Sequence, residues 1–254
     1  MTTAYAYSPP RDAASKLRRR MTQWRRARPA TLRFDTPILS IAFDDFPVSA
    51  ARDGARILES HGARGTFYAA AGLAGADGPC GRNFSAADVA RLAAAGHEIG
   101  CHTFAHADCA VRSTFETLQD LAANRDALAA MGAGEPARSL AYPYGETSSA
   151  LKDALPPRFT CARGVLRGLN AGRVDLAQLR AYPLFGEGAL AAAHAALQRA
   201  AKRNAWMIAF THDVSDTPSL WGTRAGDLEA LLKAAHDLGV TVLPVAAALK
   251  RSVT

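Results

Sequence analysis

Along most of the chain, short apolar runs alternate with stretches whose apolar residues recur every three or four positions. Ile38, Leu39, Ile41 and Phe43 make the first run, which predicts a buried strand that Pro47 prevents from continuing in a sheet. Ala55, Ile57 and Leu58 fall on the inward side of a predicted helix over residues 50–60, with Gly62 past its end. Residues 65–69 read as a second strand and the glycine-rich residues 72–81 as a loop. Ser85 starts a helix that Gly96 stops. Residues 98–101 form a third short strand. Ser113 and Glu116 have capping-box spacing ahead of Leu118, Leu121, Leu128 and Met131, so a helix follows as far as Gly132.

Further on, residues 139–142 and 159–162 read as strands and residues 164–172 as a glycine-interrupted loop. The alanine-rich residues 189–203 favour helix by propensity. Residues 206–210 form a continuous apolar run ending at Thr211-His212-Asp213. Leu228, Leu231, Leu232 and Ala235 give a helical face before Gly239, and residues 240–243 close the series. Strands alternating with helices at this spacing predict parallel βα units, and 254 residues suit one large α/β barrel or two small domains.

Composition adds limits. An apolar fraction of 49% can build a core, yet no run approaches the roughly 18 uncharged apolar residues of a membrane span. The N-terminal stretch lacks the apolar region of a secretory signal, so the expectation is a soluble, cytoplasmic protein. Cys80, Cys101, Cys109 and Cys161 contain no C-x-x-C pair, which favours reduced, buried thiols over a disulfide framework or zinc ligands.

The formal net charge of +7 sits at one end: residues 1–28 hold eight basic side chains against Asp12 alone, and the rest of the chain sums to zero. The chain is therefore divided into a basic arm, residues 1–28, and a single barrel domain, residues 29–254. Leu17, Met21 and Trp24 would share one helical face among the arginines of residues 11–28. Two readings stand: a helix lying on the anionic surface of an inner membrane, or a solvated or partner-docked helix. A homodimer through the arm or through exposed helix faces is left open. Nucleic acid is not an expected partner, because aromatic residues do not alternate with these charges and no reader motif follows.

The chemistry-bearing residues cluster after strands. Asp44 and Asp45 end the first apolar run; neighbours in an extended chain point to opposite sides, so one can hold a metal while the other takes a proton. A helix N-cap before residues 48–60 is the competing reading. His102 and His106 can meet one ion if the segment turns helically, although ordinary buried or surface histidines explain such a pair equally well. With a carboxylate added, two His and one Asp leave positions open for water and substrate, as hydrolytic zinc sites do. In a parallel barrel these residues and His212-Asp213 would meet on one face. His97 reads as structural, and His61, His194 and His236 as surface or boundary residues. Tyr182 and Trp221 fit sugar stacking or core packing alike.

These residues resemble the polysaccharide deacetylases with a NodB-homology domain, carbohydrate esterase family 4, over about residues 38–243. Ala42-Phe43-Asp44-Asp45-Phe46-Pro47 is similar to that family's first motif, T-F-D-D-G-P, and Gly96-His97-Glu98-Ile99-Gly100-Cys101-His102-Thr103-Phe104-Ala105-His106 to its second. Tyr142-Pro143-Tyr144-Gly145 resembles the end of R-P-P-Y-G, and Phe210-Thr211-His212 the final L-x-L-H. The resemblance implies a distorted (β/α) barrel of seven or eight strands. It implies Asp45, His102 and His106 as ligands of a divalent metal, usually zinc. Asp44 is implied as general base, His212 as general acid and the Tyr144 backbone N–H as oxyanion donor.

The chain departs from the family in three places. Phe46 replaces a glycine, which predicts a bulkier loop after the carboxylates. Ala141 stands where the family has an arginine that pairs with the base; Arg163, at the end of the next predicted strand, either supplies that cation or is a surface arginine. The tryptophan-containing fourth motif has no match. The partner of His212 is therefore open, with Asp175 a candidate and Asp213 read as a local loop carboxylate. The resulting expectation is a metal-dependent hydrolase that removes acetyl from N-acetylhexosamine units, GlcNAc above all, of an exopolysaccharide or its lipid-linked precursor. The narrowest resemblance is to the exopolysaccharide and holdfast branch. A metal-dependent amidase acting on a small non-sugar amide, and a non-catalytic membrane-associated scaffold, are the alternatives.

Overall fold

The computed structural model describes residues 8–135 and 137–253, so the first seven residues of the basic arm lie outside the described residues. In chain order the helices are α1 (Ala13–Trp24), α2 (Ala55–Ser60), α3 (Ala86–Ala94), α4 (Thr114–Ala130), α5 (Ser149–Ala154), α6 (Ala189–Arg203), α7 (Ala225–Asp237) and α8 (Val245–Lys250). The principal strands are β1 (Pro29–Leu32), β2 (Ile38–Asp44), β3 (Thr66–Ala69), β4 (Glu98–Cys101), β5 (Ser139–Ala141), β6 (Cys161–Arg163), β7 (Gly172–Asp175), β8 (Tyr182–Pro183), β9 (Trp206–Thr211) and β10 (Thr241–Val242).

Every residue of β2 is buried, as a strand covered on both faces requires, and its one mid-strand polar residue, Ser40, accepts the Trp206 Nε1–H at 3.0 Å. Side chains such as Ile41 and Phe43, fully withdrawn from water, each contribute about 1.5–3 kcal/mol of burial free energy. Strands lie in the order β8-β9-β2-β3-β4-β5-β6, all parallel. β9 pairs with β2 from Ile38 to Phe43. On the other side β3 takes Ala42 to Asp44, leaving Ile38 and Leu39 to the short β10. The ends of this order are joined by residues 176–184: Leu179 bridges Arg163, and Tyr182 and Pro183 then pair with Ala209 and Phe210. The result is the distorted (β/α) barrel that the family resemblance implied, built from the parallel βα units that the alternation predicted. Because all the barrel strands are parallel, the residues that follow β2, β4, β5, β6 and β9 emerge at one edge.

The capping boxes of α3 and α4 form at Ser85–Asp88 and Ser113–Glu116. Residues 50–60 are helical, beginning as a wide π turn over Ala50–Gly54. The segment read as a loop at residues 72–81 holds part of a one-turn helix, Ala71–Leu73, and a small hairpin of Asp77–Gly78 with Gly81–Arg82. β1 and β7 form a separate antiparallel pair, invisible in the pattern because both are short, largely exposed and not alternating.

The basic arm is fastened to this body. Lys152, wholly buried on α5, donates to the carbonyl oxygens of Thr22 (2.8 Å) and Arg25 (2.6 Å), to Gln178 (3.0 Å), and pairs with Asp175 at 2.7 Å. The Asp175 carboxylate accepts the backbone N–H groups of Arg28 and Ala177 (2.9 Å each). Asp175 therefore holds the arm, and the role considered for it beside His212 is corrected: its oxygens are spent on Lys152 and the backbone.

Candidate active site

Asp44 is the last residue of β2, and Asp45 follows with a left-handed backbone (φ +53°). Thr103 (φ +62°), His106 (φ +50°) and Tyr144 (φ +59°) share that conformation. Side chains other than glycine adopt it at a cost of about 1 kcal/mol or more, and such strain concentrates at functional sites. Among the described non-glycine residues only Asn204, at the end of α6, joins them. The turn after β4 brings both imidazoles back towards Asp45. It is held by Asp120 of α4, which accepts the Phe104 N–H at 2.5 Å and pairs with Arg112 at 2.9 Å. Four residues on, Asn124 accepts the Ala71 N–H and donates to the Ala69 carbonyl, both at 2.9 Å. These supports were missed in the sequence. Their signal was two polar residues at i, i+4 on a face of α4 that also carries Leu121 and Leu128, all buried.

One candidate oxygen or nitrogen from each of Asp45, His102 and His106 lies within 4.8 Å of the others. His106 Nε2 is 3.3 Å from Asp45 Oδ2, and His102 Nε2 is 3.8 Å from Oδ1. The set fits a divalent metal on two counts. Asp45 Oδ1 is buried with no hydrogen-bond partner, and His102 Nδ1 must donate to the Ala141 carbonyl at 2.8 Å, which leaves Nε2 with its lone pair. Burial drives the pKa of both imidazoles down to about 4, keeping them neutral, and raises that of Asp45.

Asp44 faces a different environment. Burial would raise its carboxyl, but the Arg163 guanidinium, with His102 and His212 adding to it, holds the pKa below the ordinary value. Arg163 Nη2 donates directly to Asp44 Oδ1. Arg163 is only 1% exposed and lies over the Tyr68 and Phe210 rings at 4.9 and 4.8 Å, so it is no surface arginine. Gly100 makes room for this stack: a Cβ there would stand 2.4 Å from the Tyr68 ring.

Half-buried His212 receives a backbone carbonyl in place of a carboxylate: Nδ1 lies 3.2 Å from the Trp221 oxygen and donates to it, leaving Nε2 available. Asp213 is a loop clasp, accepting from Ser219 N and Oγ at 2.8 and 2.5 Å. Tyr144 sits in the turn Pro143–Gly145 with its ring against His106, centroids 4.7 Å apart. Phe46 does not enlarge the loop as expected. It turns inward, fully buried, and stacks on Phe84 at 4.2 Å, because an apolar ring gains more from the core than from the rim.

His97 serves structure, with Nδ1 accepting the Gly65 N–H and Nε2 donating to Glu59. Tyr182 is core and Trp221 is exposed at the rim, which separates the two readings left open for them. All four cysteines are free.

Residues 32–156 match the family described as polysaccharide deacetylase. No curated protein is matched by the chain in sequence. Among solved structures it is similar to a family 4 acetyl xylan esterase from Clostridium thermocellum in complex with a cobalt ion, at TM-score 0.59 and 18% identity over 83% of this chain and 89% of that one. It is similar to a family 4 carbohydrate esterase from Streptomyces lividans in complex with acetate at TM-score 0.58 and 15% identity, covering 87% and 99%. A peptidoglycan deacetylase from Bacillus subtilis gives 0.57 and 15%, covering 85% and 92%. At such identities the likeness is one of fold. The matched segment, just under half of the chain, carries Asp44, Asp45, His102, His106 and Tyr144, and over it the chain matches the polysaccharide deacetylase family.

Proposed function

We propose that the protein is a metal-dependent N-deacetylase acting on N-acetylhexosamine units, GlcNAc above all, of an exopolysaccharide or its lipid-linked precursor. The observation that carries this reading is the division of labour between adjacent carboxylates: Asp44 bonded to buried Arg163, Asp45 turned by its left-handed backbone towards His102 and His106. Asp45, His102 and His106 would hold a divalent ion, zinc in this reading, which when bound would supply positive charge to polarise the acetyl carbonyl.

Asp44, kept ionised by Arg163, takes a proton from the attacking water, whose oxygen bonds to the acyl carbon. The Tyr144 N–H donates to the oxyanion that forms. His212, as general acid, gives a proton at Nε2 to the leaving nitrogen as the C–N bond breaks, so that acetate and a free amine leave. Its Nδ1–H stays on the Trp221 carbonyl and fixes the ring.

Acetate release from N-acetylglucosamine oligomers tests the reading. Release should vanish on complete chelation and return with zinc. Asp44→Asn should lower it by roughly 10²–10⁴-fold with folding and bound zinc unchanged. Persistent release from metal-free protein contradicts the mechanism, and faster turnover of small non-sugar amides than of glycans replaces the substrate class.

A further inference from the structure

The arm helix α1 is amphipathic in the inverted sense. Its buried residues are polar, Ser15 and Thr22, while Leu17, Met21 and Trp24 are 58%, 58% and 69% exposed on the opposite side. Lys16, Arg18 and Arg20, all exposed, are interspersed with that apolar stripe, and Arg26 adds positive charge beyond it, whereas Arg25 is paired with Asp153 at 2.5 Å. Polar clasps hold the helix in this orientation. Besides the Lys152 contacts with its end, Arg19 pairs with Glu146 at 2.5 Å, two residues after Tyr144, so α1 lies at the catalytic edge of the barrel.

The remaining exposed apolar side chains concentrate on the same edge. Val111 and Phe115 follow β4, Val165 follows β6, and Leu220 and Trp221 follow β9; apart from Leu238 and Val253, the large exposed apolar residues among those described lie there or on α1. No described helix is long and apolar enough to cross a membrane. A stripe of large apolar residues set among cations is complementary to an anionic lipid surface, where apolar side chains enter the headgroup boundary and each Lys or Arg adds about 1 kcal/mol, roughly a fivefold gain in binding.

We propose that α1 docks the protein on an anionic bilayer with the catalytic edge turned towards the lipid, so that the site meets acetylated chains presented at the membrane surface. The docking itself does not rest on the deacetylase reading.

Full-length protein is co-sedimented with vesicles of phosphatidylcholine alone and of phosphatidylcholine with phosphatidylglycerol, at low and high salt. Binding is expected to the mixed vesicles only, and to weaken with salt. Leu17→Ser/Met21→Ser/Trp24→Ser and, separately, Arg18→Gln/Arg20→Gln should each weaken it about tenfold or more, with the circular dichroism spectrum and unfolding midpoint unchanged because these side chains are exposed. Leu220→Ser should weaken it about twofold, the apolar loss at one residue, and Leu238→Ser should not.

Wild-type protein that binds neither vesicle, or binds both equally, overturns the proposal even if a variant fails to fold. So does a dimer, seen by light scattering, that dissociates in the triple variant, because a second copy then covers the stripe. Unchanged binding of Leu220→Ser overturns the orientation. None of these readouts involves turnover, so failure here leaves the deacetylase reading intact, and the reverse holds.

Discussion

Two buried ion pairs, each joining residues more than twenty positions apart, are saturated to different degrees. Lys152–Asp175 is complete: the ammonium reaches two carbonyls, a side-chain amide and the carboxylate, while Asp175 takes backbone N–H groups from both sides. Arg163–Asp44 is not. Arg163 Nε is buried without a partner, and so are Asp45 Oδ1 and His106 Nδ1 beside the pair. Desolvation costs are offset in the first pair by hydrogen bonds already made, whereas in the second the groups are held short of satisfaction. Saturation marks a structural clasp, and unsaturated burial marks a place reserved for something else.

Arg163→Met tests that contrast hardest. Stability should fall by about 3–5 kcal/mol in urea unfolding because Asp44 is left charged and buried, and acetate release should fall at least a hundredfold with it. Adding Asp44→Asn should recover much of the stability and none of the rate. Lys152→Met should cost a similar 3–5 kcal/mol, yet the kcat of the protein still folded should stay within about twofold of wild type. A large loss of kcat there would erase the distinction.

His97 supplies the smallest and sharpest comparison, since both its nitrogens are satisfied. Burial, opposed by Glu59, lowers its pKa in the folded protein. The unfolded chain then binds a proton that the folded one refuses, so stability is lost as pH falls below about 6.5. His97→Gln should flatten that slope while leaving kcat unchanged. An unaltered slope assigns the acid sensitivity to other groups.

What could be read from the residues follows the same division. The run from Ile38 to Phe43, the capping box at Ser113 and the alternation of elements are local signals, and each formed where expected. Asp45, His102 and His106 became legible as a set through the motif resemblance, since their residue types alone left a helix N-cap and ordinary histidines open. Arg163 could be named only as one of two readings, since its meeting with Asp44 depends on barrel order. Lys152 escaped notice altogether: a lysine in a six-residue helix is ordinarily solvated, and only its packing against the arm buries it. Phe46 and Asp175 were misread for a related reason, since the direction a side chain takes at a loop depends on which cavity or partner the rest of the chain leaves there.

The seam where Leu179 meets Arg163 carries a geometric consequence. The strands leading to Asp44 and His212 are paired over six consecutive residues and hold a constant spacing. The ring is buckled instead by an irregular strip, residues 176–184, joined to β6 at one bridge and to β9 at two residues. Circumference is adjustable at that buckle. Lengthening residues 164–175 would be absorbed there, leaving in place the two paired strands that lead to Asp44 and His212.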